Sequence, residues 1–164
     1  MIYKSFVLSN FNFCPLVWHF CGLANTHKIE RLNECALRFA LDDFKVDYQT
    51  LLNMTSMPSL YLQRVQSIAT EAFKCINNIN PPFMHNMLEE KNVNYNLRND
   101  SLVLVPKVNT TNYGLHSFRF YASHLWNILP NHIKNCDNVL SFKCALKDWS
   151  DIPCSCMMCN VYTF

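Results

Sequence analysis

Apolar residues recur along most of the chain at the three- and four-residue spacing of amphipathic helices. In residues 25–41 one helical face holds Ile29, Leu32, Ala36 and Phe39. After residue 58 a second, longer face holds Leu62, Val65, Ala69, Ala72, Phe73 and Ile76. Charged residues lie largely off the first face, so the pattern predicts helices that each bury one side in a bundle.

Proline, glycine and capping residues set the expected ends of the first helices. Pro15 is expected to divide the amino-terminal apolar segment into two short helices at Cys14. Gly22 is then expected to stop the second of them. Asn25 or Thr26 is expected to cap the helix that follows, because amide and hydroxyl oxygens accept hydrogen bonds from the first turn.

The same signals continue toward the carboxyl end. Asp47 precedes a short apolar helical turn, and Pro81 and Pro82 are expected to end the second amphipathic helix. Ser141 is expected to cap a last helix over residues 142–149.

A change of pattern separates the two parts of the chain. The run LVLV at residues 102–105 lies between polar residues and a proline, which favours a short strand or an extended crossing segment. We therefore predict a mainly α fold: a helical bundle over residues 1–80, then a small helical subdomain over 81–164. That subdomain would have one short extended segment and a cysteine-rich tail.

Composition narrows the classes of function. Gly22 and Gly114 are the only glycines among 164 residues, and half of the residues are hydrophobic. This argues against a glycine-rich phosphate loop and against an all-β fold with many turns. The formal net charge of +2 is small for a dedicated nucleic-acid binder, so such binding would have to be local. The longest apolar run, residues 13–24, is shorter than the roughly 20 residues of a membrane span, and we expect no membrane partner.

Nine cysteines raise the question of compartment and metal. The amino-terminal segment is unlike a signal peptide, so we expect reduced thiols and a cytoplasmic or nuclear location. Because an apolar helical pattern begins at Ile2 without a cap, we expect the start to lie inside a longer protein. Cys14, His19 and Cys21 lie in the most apolar part of the chain, where buried cysteine is ordinary, and are expected in the core.

The tail carries a C-x-C-x-x-C arrangement formed by Cys154, Cys156 and Cys159. Three thiolates at this spacing converge on a soft cation, and zinc is the usual one. A closed tetrahedral site needs a fourth ligand, for which the alternatives are His132, Cys136, Cys144, a residue of another chain, or none. The competing interpretation is a tail of reduced cysteines without metal.

Catalytic constellations are absent from the sequence pattern. The six histidines are scattered without a nucleophile motif, and phosphoryl transfer would need closely placed carboxylates to hold divalent metals. Asp42 and Asp43 are adjacent but follow a predicted helix, where a solvated polar cap explains them better. Glu89 and Glu90 are likewise expected at an exposed helix end. We therefore expect no active site.

Residues 107–130 form the segment whose composition is hardest to explain by packing alone. It opens with a polar run around a flexible glycine, formed by Lys107, Asn109, Thr110, Thr111, Asn112, Tyr113 and Gly114. Such amides, hydroxyls and a cation typically contact phosphates and sugars without reading bases.

An aromatic helical pattern follows in the same segment. Arg119, Tyr121, His124 and Trp126 interleave cations with aromatic rings, as in proteins that bind single strands. The alternative is an ordinary amphipathic helix, since Phe118, Leu125 and Leu129 have helical spacing. In that case Trp126 would be part of the core.

Several stretches together carry a family resemblance. They are YKSFVLSNFNFCPLVWHFCG (3–22), HKIERLNECALRFAL (27–41), YNLRN (95–99), PKVNTTNYGLHSFRF (106–120), LWNILP (125–130) and the cysteine tail. In this order they resemble the carboxy-terminal region of reverse transcriptases from non-LTR retrotransposons, the LINE-type proteins of the jockey-like group. The resemblance covers nearly the whole chain.

The resemblance implies a thumb-like bundle followed by the family's carboxy-terminal domain. The palm, which carries the catalytic Tyr-x-Asp-Asp motif, would lie upstream of this chain, so this chain alone would polymerise nothing. It would contribute RNA or DNA backbone binding to target-primed reverse transcription, with Lys107 and Arg119 as phosphate clamps and Tyr113 and Trp126 beside them. The alternative is a relic helical module that binds protein and no nucleic acid.

Overall fold

A computed structural model describes residues 3–91 and 102–149 of the chain, and these are mainly helical. The predicted mainly α fold is confirmed. The chain divides into two compact units, Met1–Val65 and Gln66–Phe164. This division lies inside a helix, and the predicted domain boundary after residue 80 stays a prediction. Within the described residues no helix is both long and apolar enough to cross a membrane.

The helices vary from single turns to five turns. In order they are a π-helical turn (Tyr3–Leu8), α1 (Ser9–Phe11), α2 (Pro15–Trp18), α3 (Leu23–Leu41), α4 (Tyr48–Thr55), α5 (Leu60–Ile76) and α6 (Pro82–His85). A second π-helical turn (Thr111–Leu115), α7 (Phe118–Ile128), α8 (Asn131–Lys134) and α9 (Val139–Asp148) follow. In the described ranges the predicted extended segment takes part in a single antiparallel bridge, between Glu90 and Val103.

The first helix ends agree only in part with expectation. The predicted break at Cys14 is confirmed, because this residue has a φ of 46° immediately before α2. Gly22, however, does not stop a helix: it occupies the N-cap of α3, which begins at Leu23. The predicted cap at Asn25 or Thr26 is therefore wrong. Gly22 starts the helix in extended backbone without a side-chain cap, and Thr26 is buried inside it.

Side-chain caps set two later helix starts. The side chain of Asp47 accepts a hydrogen bond from the backbone N–H of Gln49 at 3.1 Å and caps α4. At α9 the predicted cap is one turn too late. The amide oxygen of Asn138 accepts from the N–H of Ser141 at 2.8 Å, so Asn138 is the cap and Ser141 lies inside the helix.

The predicted buried face of α5 is confirmed, although its predicted end is not. Val65, Ala69, Ala72 and Phe73 are buried. The helix stops at Ile76, before the prolines are reached. Asn78 adopts a left-handed conformation with a φ of 54°, which ends the helix as an αL residue commonly does.

Helix α3 buries a side that only partly overlaps the predicted one: of the predicted face, Ile29 and Ala36 are half-buried, and Ala36 packs against the core. Leu32 and Phe39 are 60% and 81% exposed. The buried side instead holds Thr26, Glu30, Asn33 and Leu37. The apolar period correctly predicts a helix. It predicts only one edge of the buried side, because polar partners elsewhere in the amino-terminal unit satisfy the buried polar groups of α3.

The carboxylate of Glu30 caps the first turn of α5. It accepts hydrogen bonds from the backbone N–H groups of Tyr61 at 2.6 Å and Leu60 at 3.4 Å. The hydroxyl of Ser59 accepts the next N–H, that of Leu62, at 3.3 Å. These acceptors satisfy donors that a helix start leaves without an intrahelical partner. An acidic side chain from another helix therefore supplements the local cap by Ser59, and it also complements the positive end of the helix dipole.

Two tyrosines extend this polar cluster. The hydroxyl of Tyr48 donates to Glu30 at 2.6 Å and accepts from the side-chain amide of Asn33 at 2.8 Å. Asn33 in turn accepts from the hydroxyl of Tyr3. Burial, together with the Glu30 carboxylate, raises the pKa of Tyr3 to about 12 and also raises the pKa of Tyr48. Both hydroxyls therefore remain protonated donors at neutral pH.

A histidine and an arginine lie among aromatic rings in the same unit. His19 is 1% exposed, and its ring stacks on Tyr61 with centroids 5.7 Å apart. The guanidinium carbon of Arg64 lies 4.5 Å from the ring centre of Trp18. Burial, and then the positive charge of Arg64, lowers the pKa of His19 to about 3. His19 is a neutral core residue as expected, whereas Cys14 is exposed, contrary to expectation.

Candidate nucleic-acid interface

The polar run of the candidate segment lies at the surface of the carboxy-terminal unit. Lys107, Thr110 and Thr111 are exposed, and Tyr113 is 91% exposed. The backbone here forms a tight turn, since the carbonyl oxygen of Thr110 accepts hydrogen bonds from the N–H groups of Gly114 at 3.2 Å and Leu115 at 3.1 Å. The predicted contact residues Lys107, Thr110, Thr111 and Tyr113 are therefore exposed on a defined backbone.

Gly114 has a role other than the predicted flexibility. It is buried, and its φ is not positive. A Cβ placed there would lie 2.6 Å from the Cβ of Val108, closer than carbon atoms approach. The glycine is required because the π-helical turn packs directly on the preceding extended segment, which holds the polar run in position.

The start of α7 carries Arg119 beside this run. Ser117 caps the helix by accepting from the N–H of Phe120 at 3.4 Å, and its hydroxyl donates to the carbonyl of Gly114 at 2.6 Å. The guanidinium of Arg119 forms an ion pair with Glu89 at 2.6 Å, with side chains 50% and 58% exposed. Glu89 therefore competes directly with any phosphate for Arg119. The sequence pattern favours an exposed helix end for Glu89 and gives no sign of this ion pair.

An asparagine on α7 fixes the extended segment that leads to the polar run. The side chain of Asn127 accepts from the N–H of Val103 and donates to its carbonyl, both at 2.9 Å. On its other edge the segment forms two backbone hydrogen bonds of 2.8 Å. The N–H of Lys91 donates to the carbonyl of Leu102, and the N–H of Leu104 donates to the carbonyl of Glu89. Asn127 thus completes the backbone hydrogen bonding of a one-bridge segment. A lone asparagine in an aromatic helix gives no sequence signal for this role.

Trp126 lies in the core and not at the surface. It is 2% exposed, and its ring packs near Phe73 and Phe142 at centroid distances of 6.4 and 6.3 Å. Tyr121 is also buried. The interleaved aromatic pattern of α7 therefore belongs mainly to packing, and Trp126 is not available to stack on a base. This corrects its prediction as a contact residue and agrees with the alternative role considered above.

A buried lysine lies beside this aromatic core. The ammonium of Lys134 is 5.9 Å from the ring centre of Trp126 and has no hydrogen-bond partner among the described residues. Burial lowers the pKa of Lys134. Its interaction with the ring is a distant cation–π contact.

The predicted zinc ligands Cys154, Cys156 and Cys159 lie outside the described residues, and the zinc site stays a prediction. Of the proposed fourth ligands, His132 and Cys144 are exposed and Cys136 is partly buried. Within residues 3–91 and 102–149, no three histidine, cysteine or acidic side chains come together as a metal site.

The adjacent carboxylates have structural positions. Asp42 ends α3 in a left-handed conformation, with a φ of 54°. Asp43 accepts from the backbone N–H of Lys45 at 3.1 Å, which makes it part of a polar turn as expected. Glu90 lies in the bridge with Val103 and not at a helix end.

Comparison of the chain with protein-family models, with curated proteins and with solved structures finds no match.

Proposed function

We propose that this chain is a non-catalytic, carboxy-terminal part of a retrotransposon-type reverse transcriptase that binds the backbone of RNA or DNA. The supporting observation is the exposed run from Lys107 to Tyr113. Its hydroxyl and ammonium groups suit phosphate and sugar oxygens, and the exposed ring of Tyr113 suits stacking on an unpaired base. Polymerisation would belong to an upstream palm that this chain lacks.

Arg119 makes the proposal more specific, because it is already paired. A phosphate must displace the Glu89 carboxylate before it gains a bidentate contact with the guanidinium. The chain alone therefore binds weakly, and removing the competing carboxylate strengthens binding. This expectation separates a phosphate clamp from a structural ion pair.

The test is binding of single-stranded and structured RNA at a series of salt concentrations. Each phosphate contact contributes a log-log slope of about 0.9 on duplex and about 0.7 on single strands. Contacts from Lys107 and Arg119 together predict a slope of about 1.4 to 1.8. No affinity at low salt, or an affinity that salt does not change, would contradict the proposal.

Point variants assign the binding to these residues. Glu89→Gln should raise the affinity, whereas Arg119→Gln and Lys107→Gln should each lower it and reduce the salt slope by about 0.7 to 0.9. Tyr113→Ala should weaken single-strand binding by about 1–3 kcal/mol, and Tyr113→Phe should retain it. Lys147→Gln is the matched control, because it removes the same charge from an exposed lysine on α9.

A second candidate function is supported by exposed apolar residues. Large side chains with more than half of their surface exposed include Phe6, Phe13, Leu32, Phe39 and Phe83. Such surface is typical of a module that binds protein. The most regular part of it lies on α3.

A further inference from the structure

Helix α3 exposes one regular face from Lys28 to the residue that ends the helix. The face consists of Lys28, Leu32, Cys35 and Phe39 together with Asp42, the C-cap residue in a left-handed conformation, all of them exposed. Their spacing of four, three, four and three residues is the heptad spacing with which two helices pack side by side. At 100° per residue this face lies opposite the buried side of α3. The helix therefore has one packed side and one apolar side without a partner among the described residues.

The two ends of this α3 face carry opposite charges. Lys28 lies at its amino end and Asp42 at its carboxyl end, about 21 Å apart at 1.5 Å per residue. A second α3 running antiparallel would place each lysine opposite an aspartate of the other copy. A parallel copy would instead place like charges together. The face is thus complementary to itself in one orientation only.

We propose that a second copy of this chain docks antiparallel on the α3 face, with the two-fold axis near Cys35. Leu32 of each copy then packs close to Phe39 of the other, because the two residues lie at nearly equal distances on either side of Cys35. Two-fold symmetry lets one apolar patch cover itself, and the end charges fix the register.

The position of Cys35 gives the proposal a measurable consequence. It lies midway between Lys28 and Asp42, so the two copies bring their Cys35 residues together at the axis. Helices that pack at about 8–10 Å, with Cα atoms about 2.3 Å from each helix axis, leave facing Cα atoms roughly 3.4–5.4 Å apart. That range overlaps the Cα separation of about 4.4–6.8 Å found in disulfides. Mild oxidation should therefore cross-link the pair.

This inference deepens the second candidate function and does not depend on nucleic-acid binding. The first test measures the state of association of the full chain by sedimentation equilibrium under reducing conditions and low salt. The unchanged protein should be a dimer in equilibrium with monomer. Lys28→Glu and Asp42→Lys should each weaken self-association about tenfold, because two ion pairs become like-charge pairs in each dimer.

Mixing the two charge variants tests the antiparallel orientation directly. In a mixed pair, Glu at position 28 faces Lys at position 42, and the unchanged Asp42 faces the unchanged Lys28. The mixture should therefore form heterodimers with nearly the affinity of the unchanged protein. A mixture that associates no better than the separate variants would overturn the proposal, as would an unchanged protein that is monomeric throughout.

Cross-linking tests the axis. Copper-phenanthroline oxidation should give a covalent dimer that Cys35→Ser abolishes and that Cys144→Ser, at another exposed cysteine, does not. A covalent dimer that persists in Cys35→Ser would contradict the placement of the axis.

Phe39→Ser should abolish self-association, whereas Phe83→Ser, which changes a phenylalanine that is 76% exposed on α6, should leave it intact. Equal effects of these two variants would show unspecific association and overturn the proposal.

Discussion

Replacing Glu30 tests whether a carboxylate from α3 stabilises the start of α5. Glu30→Gln keeps the side-chain shape and one acceptor oxygen, but it removes the charge and presents an N–H₂ group to donors. The contacts at risk are the N–H of Tyr61 at 2.6 Å and the hydroxyl of Tyr48 at 2.6 Å. Either donor could keep a hydrogen bond to the one remaining side-chain oxygen, but the two could no longer each have an oxygen of their own.

The magnitude follows from these contacts. A hydrogen bond to a charged group contributes about 1.5–3 kcal/mol, and a carboxylate at a helix start about 0.3–1 kcal/mol more. We expect Glu30→Gln to lower the free energy of unfolding of the amino-terminal unit by about 2 kcal/mol. Glu30→Ala leaves two backbone donors and one hydroxyl without this acceptor in a buried site, and should cost about 3–5 kcal/mol.

Hydrogen exchange and urea denaturation measure this loss. The amides of Leu60 and Tyr61 report the local opening, and a loss of about 2 kcal/mol lowers their protection roughly 30-fold. Glu34→Gln is the matched control on the same helix, because its ion pair with Arg38 is partly exposed at 2.7 Å. It should change stability by less than about 0.5 kcal/mol. Equal effects of the two glutamine variants would refute the capping role.

Three further predictions concern buried groups and one close contact. Because the pKa of His19 falls from 6.5 to about 3 on folding, stability is full above pH 6.5 and is lost as the pH falls toward 3. Urea titrations at several pH values should show this loss, and His19→Gln should flatten it. Lys134→Met should raise the free energy of unfolding by about 1–2 kcal/mol, because it removes a buried ammonium that has no hydrogen-bond partner among the described residues. Because burial lowers the pKa of Lys134, the destabilisation caused by this lysine should shrink as the pH rises toward 10.5. If Lys134→Met and the unchanged protein had the same free energy of unfolding at pH 7, the prediction would be contradicted. Gly114→Ala should cost about 1–3 kcal/mol in thermal unfolding through contact with Val108. Adding Val108→Gly to the Gly114→Ala variant should recover part of the lost stability. If no stability is recovered, the strain does not come from the contact with Val108.

Local patterns predict the existence of helices well in this chain, since the period of α3 and α5 is carried by many residues at once. They do not predict which side of α3 is buried. Glu30 and Asn33 look like a solvent face because their hydrogen-bond partners lie 15 to 31 residues away, in Tyr3, Tyr48, Leu60 and Tyr61. Only the folded arrangement brings those partners together.

The candidate interface shows the same limit. The polar character of Lys107 and Thr110 correctly predicts exposed positions, because short-range hydration decides their surroundings. The pairing of Arg119 with Glu89 spans 30 residues, and sequence spacing contains no sign of it. Trp126 is ambiguous from its pattern, because an aromatic ring at helical spacing suits both a core and a base-stacking surface.

The glutamate at position 30 also determines when the amino-terminal unit can take its final form during synthesis. Its partners Tyr48 and Tyr61 follow it by 18 and 31 residues. Until those residues leave the ribosome, the inward side of α3 holds a charge that only water can solvate, and early collapse around it would be costly. A long-range contact of this kind delays folding until the distant segment arrives. The unit should therefore fold in one late step, after residue 61 emerges, and truncated chains that end before α5 should remain open.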